Sequence, residues 1–197
     1  MHQLIASYDW IEHQDVVLTV AVIRHSTAQE VVRTYGGDPA QSQLMTTIEA
    51  EDAALDDLGF FYVQVFEHEG RVIALENNGW SGTVPEIARR ASQGGATFFS
   101  AHWNVNGLFR ITAAEDGKVT ASFDPMRVEA DDLGDLVPNW AAAVPLEVGK
   151  LRATSLAVAE QRTGVAFDQA WLASKLPTYR IPDPEVLLKQ AAGPQAP

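Results

Sequence analysis

Residues 60–77 read Phe-Phe-Tyr-Val-Gln-Val-Phe-Glu-His-Glu-Gly-Arg-Val-Ile-Ala-Leu-Glu-Asn. Two runs rich in aromatic and β-branched residues, 60–68 and 71–76, flank Glu69-Gly70, the two-residue spacing of a tight hairpin. Asn77-Asn78-Gly79 stops the second run. Side chains alternate between faces along a strand. Phe61, Val63 and Val65 therefore share one face, and Phe60, Tyr62, Gln64, Phe66 and His68 the other. Both faces are substantially apolar, whereas a sheet with one solvated face alternates more cleanly.

Upstream of the hairpin, the β-branched run 16–24 reads as a strand. Ser26 and Gln29 have the spacing of a capping box, and the helix they open ends at Gly36-Gly37. Residues 2–13 form a short helix carrying Tyr8, Trp10 and Ile11, and 38–58 have no clear reading. Downstream, Thr83, Pro85 and Glu86 open a second capped helix that Gly94-Gly95 ends. Residues 96–103 then read as a strand, and 108–113 and 118–123 as a hairpin around Glu115-Asp116-Gly117. The order strand, helix, strand, strand, helix, strand is that of a split βαβ sandwich. The expected fold is α+β: an antiparallel sheet of about six strands, helices on one face, ferredoxin-like order with an extra hairpin, and a helical C-terminal appendage.

The sheet domain is expected to span 1–125. An acidic linker and helical appendage, 126–176, packs on the same domain, with a helix over 150–163 stopped by Gly164 and a shorter one over 167–176. Five of the ten prolines fall in 177–197, so this tail is expected to lie extended and to carry no sheet ladder. The second apolar face must be hidden or used. Either the C-terminal helices fold back over it, or Phe60, Tyr62, Phe66 and Phe98 meet a partner.

Composition narrows the chemistry. Twenty-six acidic residues against fourteen basic ones give a net charge of −12, which argues against broad binding of a phosphate backbone. The absence of cysteine excludes disulfides, thiolate catalysis and Cys-ligated zinc. No basic n-region with a long apolar run opens the chain, so a cytoplasmic protein is expected.

No catalytic motif emerges, and no cofactor is called for. Gly79-Trp80-Ser81-Gly82 misses the G-x-S-x-G elbow because its second glycine comes one residue early. No two of the five histidines have the i, i+4 spacing of a helical metal site, so no metal ligands are assigned. Asp131, Asp132 and Asp135 do not follow the calcium-loop ladder, because Leu133 falls where a ligand oxygen belongs. They read as a solvated acidic loop and a candidate contact for a basic partner. Glu76 ends its strand beside two asparagines and Trp80. A polar pocket of Glu76, Asn78, Trp80, His102 and Asn104 is one reading; hydrogen bonding of these groups to the turn backbone is the other.

The ordered pieces Glu76-x-Asn78-Gly79-Trp80-x-Gly82, Asn104-x-Asn106, Phe123-Asp124-Pro125 and Arg162-Thr163-Gly164, with a strand–helix unit over 16–36, resemble a family of small proteins widespread in actinobacteria and without assigned function. The likeness covers about residues 8–173; the 38–58 stretch and the Pro-rich tail depart from it. The resemblance implies a single cytosolic domain and carries over no catalytic residue.

Three functions follow as expectations. The first is a non-enzymatic protein-binding module, an inhibitor or immunity-type partner of a basic protein, in which complementary charge speeds encounter. The second is a small-ligand binder or weakly marked hydrolase built on the Glu/Asn/Trp/His pocket. The third is a homo-oligomeric structural component using the second sheet face. Neither nucleic acid nor membrane is expected as a partner.

Overall fold

The computed structural model describes residues 1–57, 59–127, 136–147 and 149–186. Its centre is one open antiparallel sheet of eight strands: β1 (Leu18–Arg24), β2 (Ser42–Met45), β3 (Phe60–His68), β4 (Arg71–Asn77), β5 (Thr97–Trp103), β6 (Phe109–Glu115), β7 (Lys118–Phe123) and β8 (Leu176–Pro182). They lie in the order β2-β8-β3-β4-β1-β5-β6-β7. The expected six strands are thus eight, and the whole sheet does not have the ferredoxin-like order. Its middle four, β3-β4-β1-β5, pair as the split plan requires, and strands are added on both sides. The turns Glu69-Gly70 and Asp116-Gly117 have positive φ at both positions, the twist that matches a two-residue hairpin.

β2 and β8 are the two strands missing from the sequence reading. β8 runs through the Pro-rich tail and pairs with both β2 and β3. Its prolines sit where a missing N–H does no harm. Pro177 faces only β2, Pro182 faces only β3, and Thr178 and Tyr179 between them have a neighbour on each side.

Helices cover both faces of the sheet. On one, α2 (Ala28–Thr34) and α4 (Pro85–Ala91) bury Val31, Val32, Ile87 and Ala88 against Ala21, Ile23, Val65, Ala74 and Phe98. On the other, α1 (His2–Ser7), the 3-10 turn Asp9–His13 and α5 (Leu151–Thr163) pack Ile5, Tyr8, Ile11, Leu156 and Ala157 onto Leu18, Val20, Leu75 and Trp103. Further along the same face, Phe99, Ile111 and Phe123 meet Trp140 and Val158. Helices on one face only, as expected from the sequence, is therefore corrected. The second apolar face is closed by the C-terminal helix together with the N-terminal segment. Tyr8 ties the two ends of the chain: its hydroxyl donates to Glu160 and accepts the Phe167 N–H at 2.9 Å. Burial and that carboxylate hold the Tyr8 phenol well above its usual range. Glu12 accepts the Ala153 N–H in the first turn of α5, where a helix leaves its donors unpaired.

The unclear 38–58 stretch holds β2 and α3 (Thr47–Asp56). Thr46 and Glu49 close a full capping box there, each accepting the other's backbone N–H. At α2 the box is Thr27 with Glu30, one residue later than expected. At α4 no side chain caps the helix, and Pro85 in the first turn stands in for the expected Thr83–Glu86 box.

This packing disposes of part of the proposed partner surface. Phe98 is buried beneath α4, on the opposite face of the sheet from Phe66. Phe66 packs edge-on against Trp171 with ring centroids 5.2 Å apart. Phe60 lies under the Arg180 guanidinium, and with Tyr62 it lines a shallow cavity near β2. Asp131, Asp132 and Asp135 lie outside the described residues.

Candidate functional site

The site is built by a row of side chains that the sheet register puts side by side on the α2/α4 face. Glu76 of β4 pairs with Thr19 of β1, Thr19 with His102 of β5, and His102 with Arg110 of β6. Three of the four are polar or charged and buried, in a row otherwise continuous with the core. Each therefore needs a partner.

Glu76 finds its partners in the loop that leaves its own strand. Asn78 adopts the left-handed conformation, φ 59°, and turns the chain back over the strand end. Ser81 donates its N–H to Glu76 Oε2 and Gly82 donates to Oε1, both at 2.8 Å. The glycines make this possible. A Cβ on Gly79 would stand 2.8 Å from Glu76 Oε2, and one on Gly82 would stand 2.8 Å from Thr19 Cγ2 and 3.1 Å from Tyr35 Oη. Only hydrogen fits there. Burial pushes the Glu76 carboxyl up to about 7, against the opposing pull of the Gly82 and Ser81 donors.

Thr19 carries the same order to His102. Its hydroxyl donates to the Gly79 carbonyl at 2.6 Å and lies 2.8 Å from His102 Nδ1. A hydroxyl has one proton to give. It goes to Gly79, so Nδ1 carries the ring proton and donates to Thr19. Nε2 is left as an acceptor with no partner among the described residues. Burial, helped by the Arg110 charge, holds His102 down at about 4, so the ring is neutral near pH 7.

The His102 ring lines a cavity of about 290 Å³ with Asn78, Trp80, Thr83, Asn104 and Leu108. Asn104 uses Oδ1 to accept the Asn106 and Leu108 N–H groups, which leaves Nδ2 to donate. Four of the five residues expected to form a polar pocket therefore do meet. Glu76 is the correction. It does not line the cavity, its oxygens face the loop backbone, and a whole strand separates it from His102. Two strand spacings are about 9.6 Å, so the pair cannot act as an acid–base couple.

Two further cavities escaped sequence reasoning, because their walls come from segments far apart in the chain. The larger, about 810 Å³, lies among residues 14–16, the start of α3 and residues 168–173. Thr47, Asn77, Glu51 and Asp168 in its wall are already engaged with protein groups. The smaller lies where β1 ends under the last turn of α5. Among the described residues no group of three or more His, Asp or Glu side chains could hold a metal ion, and no helix is long and apolar enough to cross a membrane.

A family pattern matches residues 1–175, nearly the whole length. The chain belongs to DUF6461, a family of unknown function. No curated protein and no solved structure matches it. The DUF6461 span includes the whole Glu76–Thr19–His102 row and the cavity beside it, and ends one residue before β8.

Proposed function

We propose that this DUF6461 protein binds a small, uncharged, planar molecule in the cavity between Trp80 and His102. The observation that carries the reading is the unused hydrogen-bonding capacity around one apolar wall. His102 Nε2 accepts, Asn104 Nδ2 donates, and the Asn78 amide can do either. Small-molecule sites combine an aromatic wall with a few such groups. The complementary ligand presents an N–H beside a carbonyl oxygen, as a cyclic amide or a nucleobase ring does. A neutral His102 excludes a fixed anion as its partner. Titration of the protein with uracil and a panel of cyclic amides, read on the His102 ring nitrogens by NMR, tests this. At least one compound is expected to shift Nε2 saturably, with binding weakened at least tenfold in His102→Phe and in Asn104→Ala. Silence across the panel, or shifts that survive both substitutions, overturns it.

A second reading, a docking face for a basic protein, is favoured by α3. Ile48 and Leu55, two turns apart on this helix, are 66% and 67% exposed, and Leu44 of β2 is 64% exposed. Asp52 and Asp56 stand on the same helix with no ion-pair partner among the described residues. With the sheet faces closed, this acidic and apolar helix face is the surface that fits a cationic, amphipathic partner. A Lys/Leu amphipathic peptide is expected to bind, and Ile48→Ser with Leu55→Ser to weaken it at least fivefold at constant ionic strength. Peptide binding indifferent to that double substitution would be charge attraction alone and would remove the reading.

A further inference from the structure

The smaller cavity carries an inference of its own. Its volume is about 140 Å³, and its walls include Arg24, Thr97, Phe99, Trp140, Arg162 and Thr163. Arg24 is the last residue of β1 and pairs in register with Thr97 of β5. Arg162 is in the last turn of α5, where Gly164 stops the helix. Arg162 and Thr163, which have no part in the Trp80 cavity, are thereby brought to the same cavity wall as Arg24, which lies 138 positions before Arg162 in the chain.

Carboxylates outnumber cations 26 to 14, yet neither Arg24 nor Arg162 makes an ion pair among the described residues. Arg89, Arg90, Lys150, Lys175 and Arg180 do, whereas Arg33, Arg71, Lys118 and Arg152 share the unpaired state but do not line this cavity. Arg24 Nε is enclosed and has no hydrogen-bond partner among the described residues, a state that is expensive for a charged donor. The Arg162 guanidinium lies over the Trp140 ring, 4.8 Å from its centroid. Two guanidinium groups lining one small cavity supply the N–H donors that recognise an oxyanion by paired N–H···O bonds. At about 30 Å³ per water, the cavity holds four or five small groups, the size of one tetrahedral oxyanion.

We propose that Arg24 and Arg162 form a binding site for a small tetrahedral oxyanion, inorganic phosphate or the phosphoryl group of a monoester. Two features limit its strength. Glu115 also lines the cavity, and the end of α5 contributes about half a negative charge. Glu115 is exposed, so water and salt screen it, whereas Arg24 Nε is enclosed.

The test uses the full chain and inorganic phosphate, with sodium chloride adjusted to constant ionic strength. The readout is the Trp140 indole N–H signal, assigned with Trp140→Phe. Phosphate is expected to shift it saturably, and chloride is not. Arg24→Gln and Arg162→Gln are each expected to weaken binding at least tenfold, and Glu115→Gln to tighten it about threefold. Arg24→Lys keeps the charge without the fork and serves if Arg24→Gln does not fold; weakening between wild type and Arg162→Gln is expected. Phenyl phosphate in place of phosphate separates a monoester site, which binds it at least as tightly, from one closed around the free ion, which rejects it; either supports the site. A linear, unsaturable response, an equal response to chloride, or indifference to both arginine substitutions overturns it.

Discussion

Glu76→Ala is expected to lower the unfolding free energy by about 3–5 kcal/mol at pH 5.5, read from urea denaturation. The substitution leaves the Ser81 and Gly82 N–H groups buried without an acceptor. Each unsatisfied donor costs about 1–3 kcal/mol, and removal of buried methylenes adds a cavity term. Glu76→Gln keeps the volume and one acceptor but turns an amide NH₂ toward the other donor, so about 1–2 kcal/mol is expected. The loss also reaches the cavity. Glu76 anchors the loop that carries Trp80 and the Gly79 carbonyl, and that carbonyl fixes Thr19 and, through it, the His102 tautomer. Uracil binding should therefore fall in Glu76→Ala even where the protein is still folded. A change in stability below 1 kcal/mol would mean the loop holds itself, and the anchoring role would be wrong.

That role was legible in part. The sequence places Glu76 at a strand end beside Asn78, Gly79 and Trp80, and residue types in a short loop suffice to propose either a pocket or a cap. Deciding between them requires Thr19, which is 57 positions away and gives no sign of its own in sequence. It matters only because β1 runs between β4 and β5 and sets it between Glu76 and His102. The hairpins were readable because two-residue turns and alternation are local signals. β8 was not, because its prolines argue against a strand unless one knows that each faces a single neighbour. α3 went unread through its own composition: four acids and three alanines give it little helical moment to detect, and its capping box precedes the helix it announces. The second sheet face was correctly suspect. What closes it is partly N-terminal, and α1 with its 3-10 turn is too short to declare which surface it covers.

The pH dependence of stability should expose the two buried titratable groups as a compensating pair. Glu76 has a folded pKa raised from 4.5 to about 7. Its contribution is complete below pH 4.5 and is lost as pH rises through 7. His102 has a folded pKa lowered from 6.5 to about 4. Its contribution is complete above pH 6.5 and is lost as pH falls through 4. Between about pH 4.5 and 6.5 the unfolded chain holds one proton on the histidine and the folded chain holds one on the glutamate. Proton uptake by this pair on unfolding is then near zero, and so is its contribution to the slope. Removing either group unmasks the other, at about 1.4 kcal/mol per pH unit. Relative to wild type, Glu76→Gln should gain about 3 kcal/mol from pH 4.5 to 6.5, while His102→Gln should lose about as much over the same window. The surface carboxylates held low by their partners, Glu30, Glu49, Asp57 and Glu86, add a positive slope at the acid end of this window as the unfolded chain protonates, but they add it equally to all three proteins and cancel in the comparison. Urea midpoints measured every half pH unit for the three proteins give the comparison. Parallel profiles would mean that neither group is buried in the state assigned to it. A single tilted variant would locate the error in one group. Opposite tilts around the wild-type profile would establish that the row across β4, β1 and β5 keeps its acid protonated and its imidazole neutral at the same pH, which is the condition for His102 Nε2 to act as an acceptor in the cavity.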